Sequence, residues 1–315
     1  MPERDEAAAL RLRALVLGAA AGGGFPQWNC NCPNCAGFRR GEPGLRARTQ
    51  ASLAVTADGE SVAVLNAAPE IIAQIAANPL LHPGEPERVG GRHSPIRTVM
   101  ITNADIDAIA GLLSLREAEP FRLVATGETL SVIDSNPIFK GLDRSLVRFE
   151  TAALETPVEL VAGVMARLYS VPGKVPLYLE GESVATDLEG EQTVGVEMTG
   201  PRGERIHWIP GCAKMTAELA APLRGADAVF FDGTVYTDDE MIRLGVGTKT
   251  GRRMGHMAMS GPDGSLAAFA DIAVKRRIYV HINNTNPVLR EGSPERRAVE
   301  AAGWIVAHDG LEVLL

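Results

Sequence analysis

The sequence predicts an α/β protein in which two β-sheets pack face to face and are covered by helices, an αββα sandwich. A hairpin signal comes early: β-rich runs at residues 52–56 and 61–65 flank the Asp-Gly turn Ala57-Asp58-Gly59-Glu60. Many further short apolar runs follow, and the last third of the chain alternates strand with helix. A doubly wound parallel sheet is the rival. The early hairpin and the number of short strands weigh against it, although element order alone does not separate the two.

The elements follow from local chemistry. The first ten residues read as a loose or helical extension, and a buried strand at 13–18 runs into the glycine-rich turn 19–24. Pro69 opens a helix over 70–77 that Asn78-Pro79 closes. The Pro- and Gly-containing stretch 79–95 is a surface connection. A buried strand at 98–102 leads into Asn103-Ala104-Asp105-Ile106-Asp107 and a short helix to Leu115. Strands are expected at 122–125, 164–171, 193–198, 205–209, 228–231, 278–282 and 312–315, with helices at 265–273 and 294–301 and a polar loop at 245–264. With no internal repeat or low-complexity linker, residues 1–315 are read as one domain.

Composition narrows the function. Of 315 residues, 45% are hydrophobic and 22% charged, and the formal net charge is -8, which offers nucleic acid no general attraction. No run approaches the roughly 20 apolar residues of a membrane span. The opening Met-Pro-Glu-Arg-Asp-Glu is acidic where a secretory signal is basic, so the cytoplasm is the expected compartment.

Three of the four cysteines, Cys30, Cys32 and Cys35, form a C-x-C-x-x-C cluster. Thiolates this close repel unless a cation neutralises them, and tetrahedral Zn²⁺ does so with three or four sulfur or nitrogen ligands. A structural zinc clamping the loop after the first strand is expected; spacing leaves its fourth ligand open.

Thr102 to Gly111 reads T-N-A-D-I-D-A-I-A-G after a strand and resembles the metallo-β-lactamase signature T-H-x-H-x-D-H-x-x-G. The histidine positions are occupied by Asn103, Asp105 and Ala108, while Asp107 keeps the aspartate. Three other residues fit the same reading: Asp232 where an apolar strand ends, His281 within an apolar strand, and His256 in the polar loop. Each also has a plainer reading, since Asn and Asp cap helices, Asp-Gly makes turns and a lone strand histidine is usually a satisfied core residue. Lys249, Arg252 and Arg253 suit substrate carboxylates, and equally a solvated basic face.

Several stretches together resemble the PQQ (pyrroloquinoline quinone) biosynthesis protein B family of metallo-β-lactamase type. They are Gly22-Gly23-Gly24-Phe25-Pro26-Gln27-Trp28-Asn29-Cys30-Asn31-Cys32, Leu112-Leu113-Ser114-Leu115-Arg116-Glu117, Asp232-Gly233-Thr234, Gly245-Val246-Gly247-Thr248, Met254-Gly255-His256 and His281-Ile282-Asn283-Asn284-Thr285-Asn286-Pro287. The resemblance implies the metallo-β-lactamase fold and an intracellular step on a peptide-derived PQQ precursor, alongside other PQQ biosynthesis proteins; it allows a homodimer. A phosphodiesterase branch of that fold completes its cysteine zinc site with a histidine at a position held here by Asn284, which becomes the candidate fourth ligand.

The favoured activity is Fe(II)- and O₂-dependent hydroxylation of the tyrosine ring of a cross-linked Glu-Tyr precursor. Asp107, Asp232 and His281 would hold the iron, a mixed His/carboxylate set that suits it better than zinc. Asp105 and Asn103 would assist, His256 would handle ring protons, and Lys249, Arg252 and Arg253 would bind carboxylates. The alternative is a non-catalytic carrier moving PQQ or its precursor toward the periplasm. A zinc hydrolase comes last, because the ligands that activate a bridging water are gone.

Overall fold

The computed structural model describes residues 10–181 and 184–315, so the expected extension before residue 10 lies outside the described residues. The first sheet contains β1 (Arg13–Gly18), β2 (Ser52–Thr56), β3 (Val62–Leu65), β4 (Ile96–Met100), β5 (Phe121–Ala125) and β6 (Val147–Thr151). The second contains β7 (Pro157–Val161), β8 (Val164–Ser170), β9 (Val194–Thr199), β10 (Arg205–Ile209), β11 (Ala228–Asp232), β12 (Arg277–Val280) and β13 (Trp304–Val306). The last strand, β14 (Glu312–Leu314), returns to the first sheet beside β1.

Strand order is β14-β1-β2-β3-β4-β5-β6 in one sheet and β13-β12-β11-β10-β9-β8-β7 in the other. Both sheets are antiparallel on one side and parallel on the other: β3 to β6 are parallel in the first, β10 to β13 in the second. This settles the choice between architectures in favour of the sandwich. The two halves share a plan that no sequence repeat reveals.

Central strands are buried along their whole length because both faces are covered. In β11, Ala228 and Phe230 join the core between the sheets, where Val16, Leu53, Met100, Val196 and Trp208 meet them. Val229 and Phe231 point the other way, into a layer with Leu219, Leu223, Phe269 and Val299. The period of two along the strand thus feeds two cores. On the first sheet the outer layer gathers Ile71, Leu112 and Ile133 under Val64, Val99 and Leu123.

Several elements differ from expectation. The strand expected at 278–282 stops at Val280, because His281 takes a left-handed φ of 54° and turns the chain. The helix expected over 265–273 ends at Ala268, and the chain then folds so that Phe269 and Ile272 are both buried. Strands β6 and β7 were not expected; each is an edge strand with exposed, partly charged residues, a sequence style that keeps edges from pairing further. The helices Pro33–Arg39, Gly127–Ser135 and Ala217–Leu223 were also missed; Cys32, Thr126 and Thr216 cap their N-termini through side chains. Among the described residues, no helix is long and apolar enough to cross a membrane.

Phe230 is fully buried with its ring 6.1 Å from that of Trp208, at the centre of the inter-sheet core. Phe230→Ala is expected to lower stability by about 3–5 kcal/mol, read as a reduced urea midpoint.

Candidate metal centre and cavity

In sheets with a parallel portion, functional side chains collect beyond the carboxyl ends of the parallel strands. Here the ends of β4, β11 and β12 deliver Asn103, Asp105, Asp107, Thr234 and His281 to a cavity of about 400 Å³ that His256 also lines. Asp232, the last residue of β11, lies beneath it with no solvent contact.

A buried carboxylate is stable only when its oxygens are paired. One oxygen of Asp232 accepts from the Cys212 N–H at 2.8 Å and from His256 Nδ1 at 2.7 Å. The other accepts from the Thr234 N–H at 3.0 Å and the Thr234 hydroxyl at 2.7 Å. The Thr234 hydroxyl oxygen also lies 2.8 Å from His281 Nδ1, and His281 Nε2 lies 3.0 Å from a carboxylate oxygen of Asp107. The imidazoles of His256 and His281 stack with centroids 5.0 Å apart.

The electrostatics follow. Burial pushes His281 down, but the hydrogen bond and charge of Asp107 outweigh it and raise its pKa. Burial would likewise raise Asp107 and Asp232; the neighbouring histidines outweigh it and hold both carboxyls below the usual range. Asp105 is pushed up by burial and by the charge of Asp107.

Asp232, His256 and His281 offer donor atoms within 4.8 Å of one another. Two imidazoles and one carboxylate from separate elements form a donor set suited to a divalent transition metal with open positions. His256 thus stands with Asp232 and His281 in this cluster, and Asp107, expected among the ligands, lies beside it 3.0 Å from His281 Nε2. Asp105 occupies the N-cap position of the helix Ile106–Ile109 without making a side-chain cap bond, so capping does not explain it. Asn103 accepts from the Asp105 N–H at 2.9 Å and shapes the loop.

The expected basic trio divides. Lys249 lines the cavity, and both Lys249 and Arg253 face Glu180, at 3.7 and 3.0 Å. Arg252 instead lines an adjoining cleft of about 890 Å³, with its backbone N–H held by Asp238. That cleft is larger and reaches His256, but it lacks the donor cluster. Sequence reasoning missed Lys174 and gave Thr234 no role. Thr234 stood in the Asp232-Gly233-Thr234 stretch, whereas Lys174 had no signal beyond a Pro- and Gly-containing loop.

The cysteine cluster forms a second donor set. Cys30, Cys32 and Cys35 are buried with sulfurs within 4.8 Å of one another. The Asn284 amide sits over all three, with Nδ2 at 3.1, 3.6 and 3.4 Å. Asn34 fixes that loop by donating to the carbonyls of Asn284 and Asn286 at 3.1 and 2.9 Å. Burial, with the neighbouring thiols, pushes Cys32 up to about 12. Three sulfurs beneath a side-chain amide fit Zn²⁺, which would displace the protons, with the amide oxygen of Asn284 turned inward as fourth donor.

The loop joining the two sites rests on Glu240. Burial pushes this carboxyl from 4.5 up to about 7, while the Thr285 hydroxyl donates to it at 2.6 Å. A raised acid stabilises the fold below its unfolded pKa and loses that contribution as pH rises through its folded pKa. Wild-type stability should therefore fall between pH 4.5 and about 7 by an amount that Glu240→Gln removes; melting temperatures of both proteins across that window check it. Cys32→Ser should lower bound zinc by about one equivalent, measured by elemental analysis.

The Beta-lactamase superfamily domain matches residues 63–282. Coenzyme PQQ synthesis protein B of Methylorubrum populi is 53% identical over 300 residues, covering 95% of this chain and 99% of that one. The protein of the same name from Rhizobium meliloti is 53% identical over 304 residues, covering 96% and 98%. The crystal structure of Zn(2+)-bound PqqB from Methylobacterium extorquens superposes with a TM-score of 0.93 at 52% identity, covering 96% of this chain and all of that one. A diphosphatase of the PhnP family shares the fold, with a TM-score of 0.66 at 18% identity over 97% of each chain. The chain belongs to the coenzyme PQQ synthesis protein B family, on a metallo-β-lactamase fold of two mixed sheets flanked by helices.

Proposed function

We propose that this chain acts in PQQ biosynthesis as a non-haem iron oxygenase that hydroxylates the tyrosine ring of the cross-linked Glu-Tyr precursor. The observation that carries the reading is the convergence of His256, His281 and Asp232 donor atoms within 4.8 Å beside a cavity of about 400 Å³. A two-histidine, one-carboxylate set with open positions suits Fe(II), and when bound Fe(II) supplies O₂ activation. One oxygen atom enters the ring and the other leaves as water, so two electrons and two protons come from an external reductant. Other proteins of the pathway would supply the precursor, in the cytoplasm, and the cysteine site would hold a structural zinc.

The chain's own residues have distinct tasks in this reading. Thr234 fixes the His281 ring through Nδ1 at 2.8 Å, and Nε2, which lies 3.0 Å from Asp107, is the nitrogen that would hold the metal. Asp232 orients His256 through Nδ1. Asp105, pushed up by burial, faces the cavity and exchanges a proton with the phenol. Asn103 keeps the Asp105 backbone in place. Lys249 and Arg253 lie where precursor carboxylates would bind.

Anaerobically purified protein loaded with Fe(II), given the cross-linked Glu-Tyr compound and a reductant, should incorporate one atom of labelled oxygen on exposure to ¹⁸O₂, seen by mass spectrometry. His256→Ala should reduce the rate at least about 100-fold. Unlabelled, unchanged substrate with the wild-type protein overturns the oxygenase reading, and tight PQQ binding in the same sample would favour the carrier.

A further inference from the structure

A second charged cluster stands at the same cavity. Glu180, its side chain only 8% exposed, lies 3.0 Å from Lys174 Nζ, 3.0 Å from Arg253 Nη2 and 3.7 Å from Lys249 Nζ. Lys174 and Lys249 also line the cavity that holds Asp105 and His256. Lys174 reaches this position because its stem packs on Gly255, the residue before His256; a Cβ there would meet Lys174 Cγ at 3.2 Å.

Among the described residues the cations outnumber their partner: three positive groups surround Glu180, and counting Asp105, whose charge Lys174 also feels, leaves one positive charge in excess. Hydrogen bonding is incomplete as well: among the described residues Arg253 Nη1 is buried without a partner, and Lys174, whose Nζ donates to the Val175 carbonyl at 3.1 Å, approaches Glu180 Oε1 outside hydrogen-bond geometry. A largely buried ammonium and a partly exposed ammonium and guanidinium around one carboxylate make a carboxylate receptor.

The segment that carries Glu180 is weakly anchored by apolar contacts. Its turn Leu177–Leu179 leaves Leu177, Tyr178 and Leu179 at 56%, 42% and 49% exposure. It is held by the Tyr178 hydroxyl on the Ala104 carbonyl at 2.6 Å, by the Leu177 N–H on Asp105 at 3.4 Å, and by the ion pairs of Glu180. Little buried apolar surface therefore opposes its displacement.

We propose that Lys174, Lys249 and Arg253 form the receptor for a ligand carboxylate, and that Glu180 is a resident surrogate which the ligand replaces. The receptor follows from charge and geometry; only the choice of a PQQ-type ligand rests on the proposed function. Specificity then favours polycarboxylates, which can use the excess charge before dislodging Glu180.

Calorimetric titration of the full chain with PQQ, and separately with benzene-1,3,5-tricarboxylate, tests this. Glu180→Gln keeps the shape of the side chain and should tighten both ligands about five- to tenfold, while Lys249→Met, at a half-exposed position, should weaken both by a similar factor. Circular dichroism checks that both variants are folded. Weaker or unchanged binding of both ligands by folded Glu180→Gln overturns the proposal and makes Glu180 a brace. If the benzene tricarboxylate follows the expected pattern and PQQ does not bind, the receptor stands and its assignment to a PQQ-type ligand fails. PQQ binding that neither variant alters rejects the receptor and leaves the pathway reading intact.

Discussion

The structure around the cavity is organised by the need to keep Asp232 charged without water. A carboxylate carried to the end of a fully buried strand is costly unless it is hydrogen-bonded or paired. The Cys212 N–H, the Thr234 N–H and hydroxyl, and His256 supply those bonds. Satisfying Asp232 fixes Thr234, Thr234 fixes His281, and His281 reaches across to Asp107 on the other sheet's loop. One buried charge thus ties the two halves of the sandwich together at their carboxyl ends.

Replacing histidines at positions 103, 105 and 108 by Asn, Asp and Ala changes what the cavity can hold more than it changes the fold. Asn103 and Asp105 still line the space, but as oxygen donors of the loop after β4, while the nitrogen donors come only from the second sheet's side. The result is one compact donor group where the signature would otherwise populate two. Two imidazoles and a carboxylate suit one divalent transition metal with vacant positions.

Much of this was legible in the residues. The Asp-Gly hairpin, the short β runs and the final strand–helix alternation sufficed for the sandwich, and the cysteine spacing sufficed for a clustered thiol site. Asp232 and His281 stood out because each interrupts an apolar run. What stayed hidden was hidden for physical reasons. Edge strands β6 and β7 mix charge with apolar residues and carry no clear period. His256 is legible as a proton-handling residue of a polar loop but not as a donor beside Asp232, because only tertiary folding brings it within 2.7 Å. The partnership of Lys174 with Glu180 depends on a crossover whose sequence looks like any proline-containing loop.

The turn after β12 has a consequence of its own. His281, bent left-handed at φ 54°, faces the cavity, and Asn284, three positions on, faces the thiols of Cys30, Cys32 and Cys35. So short a tether cannot let one end move while the other stays still. Whatever repositions Asn284 over the thiols therefore pulls on His281 through three residues of backbone.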